Sequence, residues 1–299
     1  MKICFIYSNR AEYSLLTPFI KYFKKKIITK EIDLNKKIEK LNLDENLSNI
    51  YSFCYKYFKK NKFDYVCVLG DRRELSFIAI AALHTDTKLI HIAAGEYVDG
   101  IPTYDQYIRP IVSILSKYQI CFSIKAEKQV KKLFEGISYL KSNTFVFGNP
   151  VFSEIDIRLF KNNIKEKYDM VLIHPQSLSR EQTKKDLIEI KKKIKNKKTI
   201  FIQGNKDKNY DIVKKFFKTI KNNNKYVFLD TLPKEKYFSL VKFCDNFYTN
   251  SSSISEIKIL NKKCLQQIGS RNKDRSESKF NVDSPKLLFN LLNKKNKGV

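Results

Sequence analysis

The sequence predicts an α/β protein built from two consecutive parallel-sheet halves, and three observations carry that prediction. Short β-rich runs alternate with stretches of helical period along nearly the whole chain. The runs are apolar on both faces, as strands covered by helices on two sides must be. They also fall into an earlier and a later set, separated at Gly148-Asn149-Pro150, where glycine and proline interrupt regular structure. Two Rossmann-like domains are therefore expected, residues 1–150 and residues 151–299.

The earlier set of strands is Ile3–Tyr7, Tyr65–Leu69, Leu89–Ala93, Ile120–Phe122 and Phe145–Phe147. Between the first two, Lys26–Lys62 offers at most a stub near Ile27–Thr29. Leu47, Ile50, Tyr51, Cys54, Tyr57 and Phe58 then fall at helical spacing. A lysine-rich stretch, 158–169, leads into the later set: Val171–Ile173, Ile200–Ile202, Tyr226–Leu229, Phe247–Thr249 and Leu265–Ile268. Thr103 with Gln106, and Ser179 with Gln182, read as capping boxes that open helices. Pro285–Lys297 reads as one amphipathic helix and is assigned to the second domain.

At 299 residues the chain has room for about two domains, each with a full core. An apolar content of 42% and an aromatic content of 13% fit a folded chain, not a disordered one. The net charge of +27 comes from lysines spread over nearly every helical stretch, with no recognisable nucleic-acid motif. It reads as a solvated coat that draws anionic substrates inward, so no nucleic-acid partner is expected. The six cysteines have no paired spacing, which leaves buried reduced thiols in place of a zinc site or disulfide framework. No run approaches the ~20 apolar residues of a membrane span, and residues 1–25 hold a strand pattern where a secretion signal would have an apolar core. A cytoplasmic protein is expected.

Three loops carry the chemistry. Ser8-Asn9-Arg10-Ala11-Glu12, Gly70-Asp71-Arg72 and Asn250-Ser251-Ser252-Ser253 each follow a strand and precede a helix, where parallel sheets place their ligand groups. Ala94-Gly95-Glu96 follows the next strand after Asp71, so two neighbouring strands deliver acids to one edge. Asp105 lies in the first turn of a helix with Arg109 one turn later, a spacing that also suits a simple helix ion pair. The N–H and hydroxyl groups of Asn250–Ser253 suit a phosphate, or merely cap the helix that follows. Of the three histidines, His174 ends a strand beside Pro175 and is the functional candidate, while His84 and His91 read as structural.

These stretches resemble the hydrolysing UDP-N-acetylglucosamine 2-epimerase family, especially its sialic-acid and legionaminic-acid pathway branch. The likeness rests on Arg10-Ala11-Glu12-Tyr13, Leu69-Gly70-Asp71-Arg72, His91 with Gly95-Glu96, Asp105 with Ile108-Arg109, and Gly148-Asn149-Pro150. It continues through His174-Pro175, Asn250–Ser253 with Glu256, and Ile268-Gly269-Ser270-Arg271 with Arg275. The resemblance implies two Rossmann-like domains facing across a cleft, the GT-B arrangement. It implies a UDP-sugar substrate, no metal or redox cofactor, and UDP plus N-acetylmannosamine or a deoxy-diamino relative as products. Arg10 would contact the diphosphate, and Asp71, Glu96 and Asp105 would surround the sugar, with Arg109 among the binding residues. His174 would assist UDP departure, while Ser252, Ser253 and Glu256 would hold phosphate and ribose beside Arg271 or Arg275. A homodimer is implied by the same likeness alone.

The chemistry is consistent with that inventory. The C2 hydrogen of a hexosamine is not acidic until UDP leaves and C1 gains cationic character. The site then needs cations and helix amino-termini for the diphosphate and carboxylates beside C1 and C2. The chain departs from the family pattern in Lys26–Lys62, where a further strand and a Gly-x-His-Leu loop are expected, so the first domain is trimmed. Arg109 is followed by Pro110 where the family has histidine, and proline at that depth should kink the helix. Two alternatives stay open: a sugar-nucleotide glycosyltransferase of the same architecture, and a UDP-sugar-binding homologue with weak catalysis.

Overall fold

The computed structural model describes residues 1–41, 48–96, 104–137, 139–153, 155–194, 197–204, 208–230, 232–273 and 277–296. Leu47, Thr103, Arg275 and Lys297, which the sequence reading used, lie outside these residues, as does the Asp105 side chain.

The chain divides into two units. The first comprises Met1–Tyr97, Tyr104–Glu154 and Ser278–Val299, and the second is built on Ile155–Glu277. The first holds six strands: β1 (Lys2–Tyr7), β2 (Ile28–Asp33), β3 (Tyr65–Leu69), β4 (Lys88–Ile92), β5 (Tyr118–Cys121) and β6 (Thr144–Val146). They form one parallel sheet in the order β2-β1-β3-β4-β5-β6. Its helices are α1 (Arg10–Lys24), α2 (Leu34–Leu41), α3 (Ser48–Asn61), α4 (Glu74–His84), α5 (Tyr104–Leu115) and α6 (Ile124–Leu133). The second unit holds β7 (Asp169–Leu172), β8 (Thr199–Ile202), β9 (Tyr226–Leu229), β10 (Phe247–Thr249) and β11 (Leu265–Gln267), parallel and ordered β11-β10-β7-β8-β9. Between these strands run α7 (Arg180–Lys193), α8 (Tyr210–Ile220), α9 (Lys234–Phe243) and α10 (Ile254–Asn261), and α11 (Ser284–Asn296) follows near the end of the chain.

Packing explains why the strands read as unbroken apolar runs. In β3, Val66 and Val68 join Ile50, Cys54 and Phe58 of α3 and Ile78 of α4 on one side of the sheet. Tyr65, Cys67 and Leu69 join Leu16, Phe19 and Phe23 of α1 on the other. A residue on either face of a doubly covered strand is withdrawn from water, so each position favours an apolar side chain. All six cysteines are buried thiols within this packing.

Two expectations need correction. The stub near Ile27–Thr29 is a full six-residue strand, β2, paired with β1 along its length. It is an edge strand in which Ile32 alone is buried, and its lysine and acids keep the open edge soluble, which hides it from an apolar-run search. The terminal helix α11 belongs to the first unit, with Leu288 and Leu292 fully buried beside α1. Gly148-Asn149-Pro150 is the seat for that returning segment as well as a break. The Asn149 N–H donates to the Lys279 carbonyl (2.6 Å), and the Asn281 N–H donates back to the Asn149 carbonyl (3.1 Å). Gly148 has φ +83°, and a Cβ there would lie 2.8 Å from the Lys279 oxygen. His84, finally, is the last residue of α4, its Nδ1 2.9 Å from the Tyr51 hydroxyl.

Each sheet has one point where the strand order reverses. In the first, β1 leads to β2 on one side and β3 lies on the other. In the second, β7 leads to β8 while β10 lies on its other side. The loops leaving two such strands diverge and open a crevice at the carboxyl edge, where ligands of open α/β sheets bind.

Candidate active site

In the first unit the loops at the reversal point are Ser8–Arg10 after β1 and Gly70–Arg72 after β3. Asn9 caps α1, its Oδ1 accepting the Glu12 N–H at 2.8 Å. Glu12 reaches back, and its Oε2 accepts the Ser8 N–H (2.6 Å) and the Ser8 hydroxyl (3.0 Å). Arg10 is thereby held as the first residue of α1, with its side chain exposed. Burial, reinforced by the charge of Glu74, pushes the Glu12 carboxyl up to about 7 against the opposing Ser8 bonds. Burial is the largest influence on Glu74 and raises it, but the Arg72 charge and the hydrogen bonds from the Ser8 hydroxyl, a backbone N–H and the Arg72 side chain together outweigh it and hold the group below its ordinary value. Arg72 Nε donates to Glu74 Oε1 at 2.9 Å. The Glu12–Ser8–Glu74 cluster escaped the sequence reading; its signal was the Asn-x-x-Glu spacing of a helix start.

Asp71 forms an ion pair with Arg109 of α5, with 19% and 11% of the two side chains exposed. Arg109 thus reaches across to the neighbouring strand's loop. Glu96 is buried just beyond β4, the strand paired with β3, so both acids end adjacent strands. Gly95 before it has φ +74°, and a Cβ there would lie 2.1 Å from the Ala126 carbonyl of α6, so glycine is needed for both conformation and space. Asp105 occupies the first turn of α5. That helix runs through Pro110 to Leu115.

In the second unit the reversal-point loops are Ile173–Gln176 after β7 and Asn250–Ser253 after β10. Asn250 joins them. Its Oδ1 accepts the His174 N–H (2.8 Å) and its Nδ2 donates to the His174 carbonyl (2.9 Å). Asn250 Nδ2 also lies 3.3 Å from Asp186 Oδ2, a buried carboxylate that Gln182 and Gln176 contact as well. Arg271 Nη1 and Asn272 Nδ2 donate to the Asn250 carbonyl (3.3 and 3.0 Å), which brings His174 and Arg271 to one loop. Burial and, after it, the Arg271 charge push the His174 imidazole down to about 3, so the half-buried ring is neutral at physiological pH. The Ser251 and Ser253 hydroxyls lie 3.0 Å apart, and Ser252 is exposed. Ser253 makes no side-chain cap to α10, whose first turn carries the buried Glu256. Of the two expected helix-opening boxes, Ser179 does accept the Gln182 N–H, at 3.1 Å. A cavity of about 580 Å³ elsewhere in this unit, lined by Phe160, Tyr168, Ile200 and Leu240, includes none of the candidate residues.

Among the described residues, no group of three or more His, Cys, Asp or Glu side chains could hold a metal ion. No helix among them is long and apolar enough to cross a membrane. The family model for UDP-N-acetylglucosamine 2-epimerase matches residues 12–283. The chain belongs to that family. Among its relatives is the polysialic acid biosynthesis protein P7 of Escherichia coli, 30% identical over 241 residues. That match covers 77% of this chain and 60% of the length of P7, so the chain spans less than two thirds of that relative. The hydrolyzing GDP/UDP-N,N'-diacetylbacillosamine 2-epimerase of Campylobacter jejuni is 28% identical over 283 residues, covering 87% of this chain and 72% of its own length. Among solved structures, the UDP-GlcNAc 2-epimerase of Methanocaldococcus jannaschii, in complex with UDP-GlcNAc and UDP, superposes with a TM-score of 0.75 at 19% identity. That superposition covers 98% of this chain and all of the other, so this chain shares its fold with that structure.

Proposed function

We propose that this chain is a hydrolysing 2-epimerase that converts a UDP-linked acetamido sugar and water into UDP and the free 2-epimeric sugar. The observation that carries the reading is the complementary chemistry of the two reversal points. The first offers Asp71 paired with Arg109, with Glu96 beyond the adjoining strand β4, and the other offers serine hydroxyls, Asn250, a neutral His174 and Arg271. A relative described as hydrolyzing supports the same class of reaction.

In this reading the C1–O bond breaks with its electron pair passing to the β-phosphate oxygen. Arg10, Arg271, Ser252, Ser253 and the amino-terminus of α10 stabilise the departing diphosphate, and Glu256 holds the ribose. Arg275 joins them by likeness. His174 enters neutral, so it contributes a hydrogen bond and takes up charge only as the phosphate dianion develops beside it. A carboxylate removes the C2 proton, leaving a C1=C2 glycal. Water then adds its oxygen to C1 while a proton returns to C2 from the opposite face. Asp71, engaged by Arg109, is the positioning carboxylate, and Glu96 or Asp105 is the base.

The test is incubation with UDP-N-acetylglucosamine and UDP-N,N'-diacetylbacillosamine in deuterated water. Release of UDP together with a 2-epimeric sugar carrying one deuterium at C2 is the expected result. UDP release that needs an added acceptor would mean glycosyl transfer, and UDP-sugar binding without release would mean a binding homologue. Glu96→Gln is expected to lower turnover by about a hundredfold or more while UDP affinity, read by calorimetry, stays within about twofold.

A further inference from the structure

His91 is the fourth residue of β4, fully buried, with both ring nitrogens engaged. Nε2 lies 2.7 Å from the Gly70 carbonyl oxygen, and Nδ1 lies 2.9 Å from Ser113 Oγ. A carbonyl can only accept, so Nε2 carries the proton. Nδ1 is then the acceptor, and the Ser113 hydroxyl donates to it. Burial pushes the imidazole down to about 4, so the ring stays neutral and this tautomer satisfies both partners.

The pieces joined in this way are the ones that carry the candidate acids. Gly70 immediately precedes Asp71, β4 leads into Glu96, and Ser113 lies on α5 one turn beyond Arg109, the partner of Asp71. Consecutive residues of β4 hold Gly70 at both ends, since its N–H donates to the Ile92 carbonyl (3.0 Å) while its own carbonyl accepts from His91. Gly70 has φ +85° with nothing within 4 Å of where a Cβ would sit, so these two bonds, not packing, set the direction in which the chain delivers Asp71. An apolar residue of similar volume would fill the space but leave the part-buried Gly70 carbonyl and the buried Ser113 hydroxyl without His91 as their partner.

We propose that His91 is a positioning residue for the acid cluster: through Gly70 and Ser113 it holds the Asp71 loop and the Asp105–Arg109 helix in a fixed relation, without touching substrate. The proposal rests on the epimerase reading for its kinetic consequences and on geometry alone for the rest. Mis-setting a reacting group by about an ångström costs up to a hundredfold in rate.

The experiment compares wild type with His91→Phe, His91→Asn and His91→Gln. Long-range proton–nitrogen correlation spectra of the wild-type rings are expected to show a protonated Nε2 and a bare Nδ1 on His91, unchanged from about pH 6 to about pH 9. His91→Phe is expected to lower kcat by about tenfold to a hundredfold, with KM and UDP affinity within about twofold. His91→Gln, whose amide N–H can reach the Gly70 carbonyl, is expected to recover most of that loss, and the shorter His91→Asn much less. The Arg109 guanidinium N–H resonances should shift in His91→Phe and persist in His91→Gln. An Nδ1–H tautomer, a kcat in folded His91→Phe equal to wild type, unchanged Arg109 resonances, or kcat and UDP affinity falling together would each overturn the proposal. Should His91→Phe fail to fold, the contrast between the asparagine and glutamine variants decides the matter. If the wild type turns over no nucleotide sugar, the functional reading fails, and the ring and Arg109 spectra still decide the positioning role.

Discussion

Replacing Arg109 by methionine takes the guanidinium away from Asp71, whose side chain is mostly buried. The expected cost is about 2 to 3 kcal/mol in urea titration, below the full cost of breaking a buried pair because the carboxylate retains some contact with water. The double variant Asp71→Asn/Arg109→Met should recover part of it, because the orphaned charge is gone. Asn250→Ala removes the amide that clasps both backbone groups of His174, and should cost about 2 kcal/mol with a loss of roughly tenfold or more in UDP affinity by calorimetry. Asp71, Glu96 and the serines stand out in the sequence as candidates because each sits in a short motif just past an apolar run. The clasp of Asn250 could not, since it joins residues 76 positions apart, and nothing in local spacing says which amide folds back onto which strand. The burial of Glu12 was hidden for the same reason, as a first-turn glutamate ordinarily faces water.

At the scale of the elements, two glycines that end neighbouring strands should respond differently to alanine. Gly70→Ala meets no atom within 4 Å, so only the left-handed backbone is strained, at about 1 to 2 kcal/mol. Gly95→Ala adds that strain and drives a methyl group into the Ala126 carbonyl and Val130 of α6, so it should destabilise by several-fold more in the same denaturation assay. The doubly covered strands were legible because burial on both faces writes itself into composition. Strand β2 was not, because an edge strand protects itself with the lysines and acids that elsewhere mark a loop. Pro110 lies inside α5, which continues for five residues beyond it to Leu115.

For the molecule as a whole, buried titratable groups give stability a pH dependence with opposing parts. The Glu12 carboxyl is raised from 4.5 to about 7, so its contribution is fully present below about pH 4.5 and is lost as pH rises through 7. The His91 and His174 rings are lowered from 6.5 to about 4 and about 3, so their contributions are present above about pH 6.5 and are lost on acidification. Two against one, thermal unfolding of the wild type should move to lower temperature as pH falls from 6.5 towards 4.5. Glu12→Gln should steepen that acid loss and stabilise the protein at pH 8 by up to about 3 kcal/mol. The two-unit plan was legible from the alternation of strand and helix, while the destination of the last helix was not, because an amphipathic face does not name the surface that covers it. That destination bears on biosynthesis. Phe19 and Phe23 of α1 are sealed in part by Leu288 and Leu292, residues translated only after the whole of Ile155–Glu277. A nascent chain emerging from the ribosome therefore carries a greasy, half-closed first unit through the synthesis of everything in between, and it is during this interval that a chaperone has something to hold.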